Sequence, residues 1–156
     1  MKNRANYFGL APKGMEILME QEKFLARQFK QEGGVSLTIW ELVKLRVSQI
    51  NQCAFCIDMH TKDALAAGED PARLYGLNAW KDTPFYTDDE RLALKIAETL
   101  TAAQPILDDL YTQGEETFGE QGLVELTLAV NAINSWNRMS KMFLPKVGTY
   151  QPGQFD

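Results

Sequence analysis

The stretch Ile39-Trp-Glu41-Leu-Val-Lys-Leu-Arg46-Val-Ser48-Gln-Ile-Asn51-Gln-Cys53-Ala-Phe55-Cys56-Ile-Asp-Met-His60 decides the fold. In its first half Ile39, Leu42, Val43, Val47 and Ile50 recur at three- and four-residue intervals, which lays apolar side chains along one face of an α-helix beginning near Ser36 or Thr38. The pattern breaks at Asn51-Gln52 and resumes at Cys53. Asn51 is expected to cap a second helix over 53–67, which Gly68 ends. Two helices joined by a two-residue turn leave no room for a strand between them.

The helical period continues outward in both directions. Upstream, Pro12 suits a first helical turn, and Met15, Leu18, Leu25 and Phe29 lead to a stop at Gly33-Gly34. Downstream, Asp70-Pro71 opens a short helix through Leu74 and Leu77, and Thr87-Asp-Asp-Glu90 is a capping box for a helix reaching about Ala103. Pro105 breaks the chain before a helix over 106–118 that ends at Gly119. A last helix over 121–143 turns Leu123, Leu126, Val130 and Ile133 inward. The tail, 145–156, carries Gly148, Pro152 and Gly153 and is expected to be irregular. The expected architecture is one all-α domain of six to seven helices, with its core over about 12–144.

At 156 residues the chain has the length of one domain and enough interior to fold without disulfide or metal staples. Its 16 Lys and Arg against 21 Asp and Glu give a net charge of −5, which argues against nucleic acid as a partner. No apolar run of membrane-spanning length is present, and Lys2 and Arg4 are followed by no apolar leader segment. A soluble, cytoplasmic protein with no membrane association is expected.

The chain has two cysteines and one histidine, all within residues 53–60, and a close Cys pair in a reducing compartment points to catalysis or metal binding. At about 100° per residue, Cys56 and His60 lie about 300° and 340° round a helix from Cys53, so the three share one face. The thiols could form and break a disulfide across one turn, the helix N-terminus favours thiolate, and the imidazole could take the thiol proton. A zinc site would need a fourth Cys or His ligand, which one chain does not have. The plain alternative is two small buried cysteines beside a core histidine. Glu41, twelve residues before Cys53, either completes a Thr38-x-x-Glu41 capping box, which spacing alone favours, or serves His60 as an orienting or proton-relaying carboxylate.

Glu41, eleven residues, then Cys53-x-x-Cys56-x-x-x-His60 resembles the motif of the AhpD-like alkylhydroperoxidases of the carboxymuconolactone decarboxylase superfamily. Flanking segments are similar too: Leu45-Arg46-Val-Ser48-Gln49-Ile50-Asn51, Asp58-Met59-His60-Thr61, Glu90-Arg91, Ala97-Glu98 and Asn134-Ser-Trp136-Asn137-Arg138. The resemblance implies a helical fold, a homo-oligomer (trimer or hexamer) and a dithiol that reduces an organic hydroperoxide or hydrogen peroxide. It implies that Cys56 becomes a sulfenic acid, that Cys53 is proton donor and then resolving thiol, and that His60 and Glu41 form the proton relay. That reverses the reading of Glu41 from cap to relay. No bound cofactor is implied beyond the redox-active Cys53-Cys56 disulfide, which an external dithiol of lipoyl type would reduce. The best-known branch has a histidine where Phe55 stands, so the relay here is expected to be shorter or to use water. Lactone decarboxylases of the superfamily generally lack the Cys pair, which argues against decarboxylation. The contrasting expectation is a redox sensor or oligomeric scaffold whose dithiol oxidises without turnover.

Three further expectations follow from spacing. Asn131, Asn134 and Arg138 share a face of the last helix beside Asn137 and suit buried hydrogen bonds or subunit contacts. Arg46 is expected to pair with a carboxylate such as Glu98. Trp40, Phe55, Trp80, Phe85, Trp136 and Phe143 are expected mostly in the core, with some lining a dry pocket.

Overall fold

The computed structural model describes residues 4–31 and 34–155. The expected stop at Gly33 lies outside them, as do Lys2 and the last residue of the tail. Seven helices are formed and no strand among the described residues: α1 (Tyr7–Leu10), α2 (Pro12–Gln28), α3 (Leu37–Ile50), α4 (Ala54–Ala66), α5 (Pro71–Gly76), α6 (Asp88–Thr101) and α7 (Asp108–Phe143). A 3₁₀ turn, Leu77–Asp82, follows α5.

The caps show why the helices start where they do. Ser36 accepts the Ile39 N–H at the head of α3. Asp70 accepts the Ala72 N–H ahead of Pro71 at α5, and Thr87 and Glu90 form the expected capping box at α6. With Ser36 as the cap, Glu41 lies too far along α3 to close a box, and the Thr38-x-x-Glu41 reading is corrected. Helix α2 stops at Gln28, short of the glycine pair. Phe29, 5.3 Å from the Trp40 ring, anchors in the core, and Val35 returns to the same cluster. Helix α7 bends at Gly119, whose φ of 71° strains any residue with a Cβ, so the two expected helices form one broken element. Its first limb starts at Asp108, two residues later than the periodicity suggests.

Helix α3 is the centre of the molecule and packs against α4, α6 and α7. Its Ile39, Val43 and Val47 enter one core with Leu25, Phe29, Ile96, Leu126, Val130 and Ile133. Leu42 and Leu45 enter a second with Leu74, Leu77, Trp80 and Leu94. Burying a side chain such as Leu126, fully out of water, contributes about 1.5–3 kcal/mol. Both faces of α3 are buried, and the turn at its C-terminal end leads directly into Cys53 and the helix that carries Cys56. Arg46 bonds Glu98 at 2.7 Å, as the sequence suggests. Of the aromatics, Trp40 and Trp80 are buried, but Phe85 is 44% exposed and leaves the core reading.

Candidate functional site

The turn from α3 to α4 sets the cysteines. Asn51 ends α3, Gln52 adopts the left-handed conformation (φ 52°), and the Cys53 and Gln52 N–H groups bond back to Ser48 and Gln49. This is a Schellman turn. It moves the N-cap of α4 two residues past the expected Asn51, to Cys53 with its extended backbone, and the helix itself starts at Ala54. Asn51 caps nothing. Its amide donates to Asn134 (2.9 Å) and Asn137 (2.8 Å) on α7, Asn137 donates to Ser48 (3.1 Å), and Lys141 donates to the Asn51 carbonyl (2.8 Å). These bonds tie the turn to α7. Asn134 and Asn137 thus do the bonding expected of that face, while Asn131 is exposed.

The two thiols are free, buried and 2.7 Å apart, and Cys56 lies 3.6 Å from the Ser140 hydroxyl. The hydrogen bond from the Cys56 thiol brings Cys53 down to about 6, helped by the Cys56 backbone N–H, Ser140 and the Lys141 charge, against burial. The same bond, with burial and the Cys53 charge, pushes Cys56 up. Of the two, Cys53 is the more readily ionised sulfur, at the N-cap position of α4, where the Cys56 backbone N–H favours its thiolate.

The two sulfurs open on different spaces. Cys56 lines a cavity of about 990 Å³ together with Trp40, Glu41, Lys44, His60 and Phe55. Cys53 lines a smaller one, about 170 Å³, with Ser140, Lys141 and Val147. His60 is buried, and burial foremost, with the Lys44 charge, holds it well below its ordinary 6.5. Neither ring nitrogen has a hydrogen-bond partner, so His60 bonds neither cysteine nor Glu41. Glu41 pairs with Lys44 at 2.7 Å through one oxygen, and its other oxygen is buried without a partner. The four residues singled out from sequence thus come together around the dithiol and its cavity, with no hydrogen bond between His60 and Glu41. Sequence reasoning missed Lys44, Ser140 and Lys141. Ser140 stands three residues after Asn137 and Lys44 three after Glu41, the one-turn spacing that would have flagged them. It also missed Glu22, which accepts from Trp136 at 3.0 Å and is raised by burial.

The tail walls the cavity. The Tyr150 hydroxyl bonds Asp63 at 2.8 Å, Lys62 donates to the Tyr150 carbonyl at 3.2 Å, and the Gly148 N–H donates to Asp58 at 3.2 Å. Among the described residues no group of His, Cys, Asp and Glu is placed to hold a metal ion, and no helix is long and apolar enough to cross a membrane.

Residues 18–99 match the carboxymuconolactone decarboxylase family. The uncharacterized Bacillus subtilis (strain 168) protein YdfG is 44% identical over 142 residues, 90% of this chain and 93% of that one. A solved Agrobacterium tumefaciens protein of unknown function, proposed as the antioxidant defence protein AhpD, is 30% identical. It superposes with a TM-score of 0.85 over 96% of this chain and all of that one. An uncharacterized peroxidase-related protein from Silicibacter sp. TM1040 shares the fold at 19% identity, with a TM-score of 0.79 over 96% of this chain and 78% of that one. On its sequence and its fold together, the chain belongs to the carboxymuconolactone decarboxylase family and is AhpD-like within it.

Proposed function

We propose that the protein is a dithiol hydroperoxide reductase. The observation that carries this reading is the reduced Cys53/Cys56 pair, one sulfur of which opens on a large cavity with aromatic walls. A hydrogen bond joins the two sulfurs, and once the pair has lost one proton the other can sit on either of them. The shift of that proton from Cys56 to Cys53 makes Cys56 the thiolate on the cavity side and Cys53 the proton donor. The Cys56 sulfur attacks the terminal peroxide oxygen, the S–O bond forms as the O–O bond breaks, and the outgoing alkoxide takes the Cys53 proton to leave as alcohol. The Cys53 thiolate then displaces hydroxide from the Cys56 sulfenic acid, giving the disulfide and, with a proton, water. An external dithiol returns two electrons and two protons. His60 and Glu41 act on this cycle from the cavity wall. Because neither bonds a cysteine, the proton-bearing group that they serve is the substrate's own.

The test is steady-state loss of cumene hydroperoxide coupled to dihydrolipoamide. Wild type is expected to turn over, Cys56→Ser to fall to the background rate, and Cys53→Ser to stop after one equivalent, as a trapped sulfenic acid. If wild type consumes no more peroxide than Cys56→Ser, the reading fails, and a dithiol that oxidises without turnover takes its place.

A further inference from the structure

The chain has three tryptophans, and their indole N–H groups are not equivalent. Trp80 donates to Glu98 at 2.9 Å and Trp136 to Glu22 at 3.0 Å. The Trp40 N–H is buried with no partner, in a side chain only 5% exposed. Its ring is held by Phe29, with centroids 5.3 Å apart, and by the Lys44 ammonium 3.6 Å from the ring centre. Buried polar groups are almost always paired. Among the described residues the buried side-chain atoms without a partner are the Trp40 Nε1, one Glu41 oxygen and both His60 nitrogens. All belong to residues that line the cavity onto which Cys56 opens.

Their chemistry specifies a complementary ligand. Trp40 Nε1 can only donate, the lone Glu41 oxygen of the Lys44-paired carboxylate can only accept, and a neutral imidazole does one of each. A head group that satisfies them must both accept and donate. A hydroperoxide, or the alcohol left after its reduction, does so. An ether or a carboxylate accepts but cannot donate. Elsewhere on the wall Tyr7, Phe55, Met59 and Phe143 offer apolar and aromatic surface to the rest of the molecule, beside charged residues that include Glu22, Lys23 and Asp63. We propose that Trp40 Nε1 is a substrate-binding donor, which holds an oxygen of the hydroperoxide while the O–H turns toward Glu41. This rests on the hydroperoxide reductase reading and adds to it a residue that positions the substrate. As the O–O bond breaks, the same fixed N–H faces the charge growing on the outgoing oxygen.

The experiment uses ¹⁵N-labelled, reduced wild-type protein, with the three indole resonances assigned from Trp→Phe variants, titrated with cumyl alcohol. The alcohol carries the head and body of the test peroxide but no oxidising equivalent. The Trp40 indole resonance is expected to move downfield and saturate, while that of Trp80, outside the cavity, stays in place. Trp40→Phe keeps the ring but loses the N–H, and should weaken alcohol binding by about tenfold, the worth of one hydrogen bond. The methyl ether of the same alcohol should bind more weakly than the alcohol. A Trp40 resonance unmoved at saturation, or equal binding by Trp40→Phe, overturns the proposal. Alcohol binding needs no turnover, so the two readings fail separately. If the alcohol moves Trp40 in a protein that reduces no peroxide, the site stands without the activity. If peroxide is reduced while Trp40 stays unmoved, the activity stands without the site.

Discussion

His60 is the chain's one histidine, and the fold buries it neutral, with Lys44 adding to the cost of charging it. The consequence is a pH dependence of stability with a definite sign. The unfolded chain takes up a proton near the ordinary value of 6.5, while the folded protein does not until well below it. Between those values the unfolded state holds the extra proton, so stability falls as the pH drops below 6.5, by about 1 kcal/mol per pH unit. Above about pH 7 both states are neutral at this position and the effect vanishes. Urea denaturation at about pH 7 and about pH 5.5 should show the loss. His60→Gln keeps a donor and an acceptor but cannot charge, so it should lose about 1 kcal/mol less over the same interval. An equal loss in both proteins would mean that His60 is not held neutral.

Three helices end in the same way. At the ends of α3, α4 and α6, residues 52, 68 and 103 adopt positive φ (52°, 91° and 54°), and the N–H groups around them bond back into the last turn. Only Gly68 has the residue type that this conformation favours. Gln52 and Ala103 accept a left-handed backbone that disfavours a Cβ by about 1–2 kcal/mol. Ala103 is exposed and far along the chain from the dithiol. Ala103→Gly should therefore stabilise the protein by about 0.5–1 kcal/mol and Gly68→Ala destabilise it by a similar amount, read as opposite shifts in thermal melting. The same comparison explains what could be read in advance. Gly68 and Gly119 announce their breaks because glycine is what a positive φ selects, and the α4 stop and α7 bend fall where they do. The Gln52 turn carries no such signal. The spacing therefore points to Asn51 as the N-cap of α4, although the helices themselves are plain from periodicity. Cys53, Cys56 and His60 were legible as a group because eight residues of one segment hold them. Ser140 and Lys141 were not, because α7 reaches the dithiol only by packing beside α3 and α4.

At the scale of the whole molecule, the two cores leave one side of α4 to the tail. Neither core contains a residue beyond 144. Yet Thr149, Tyr150, Pro152, Gln154 and Phe155 line the cavity onto which Cys56 opens. Tyr150 is 4% exposed, stacks on Phe155 at 5.6 Å and bonds Asp63, so the segment is docked although it has no helix. Stability and access are thus divided between different parts of the chain. A protein ending at Pro145 should keep its helical circular dichroism, because both cores remain. Its melting temperature should fall by roughly 5 °C, the effect of losing about one buried aromatic side chain in a domain of this size. Cys56, 1% exposed in the full chain, should become accessible. In a Cys53→Ser background, where a single thiol reports, its reaction with a bulky aromatic disulfide should accelerate by an order of magnitude or more. Unchanged reactivity in a folded, shortened protein would mean that the tail does not screen Cys56.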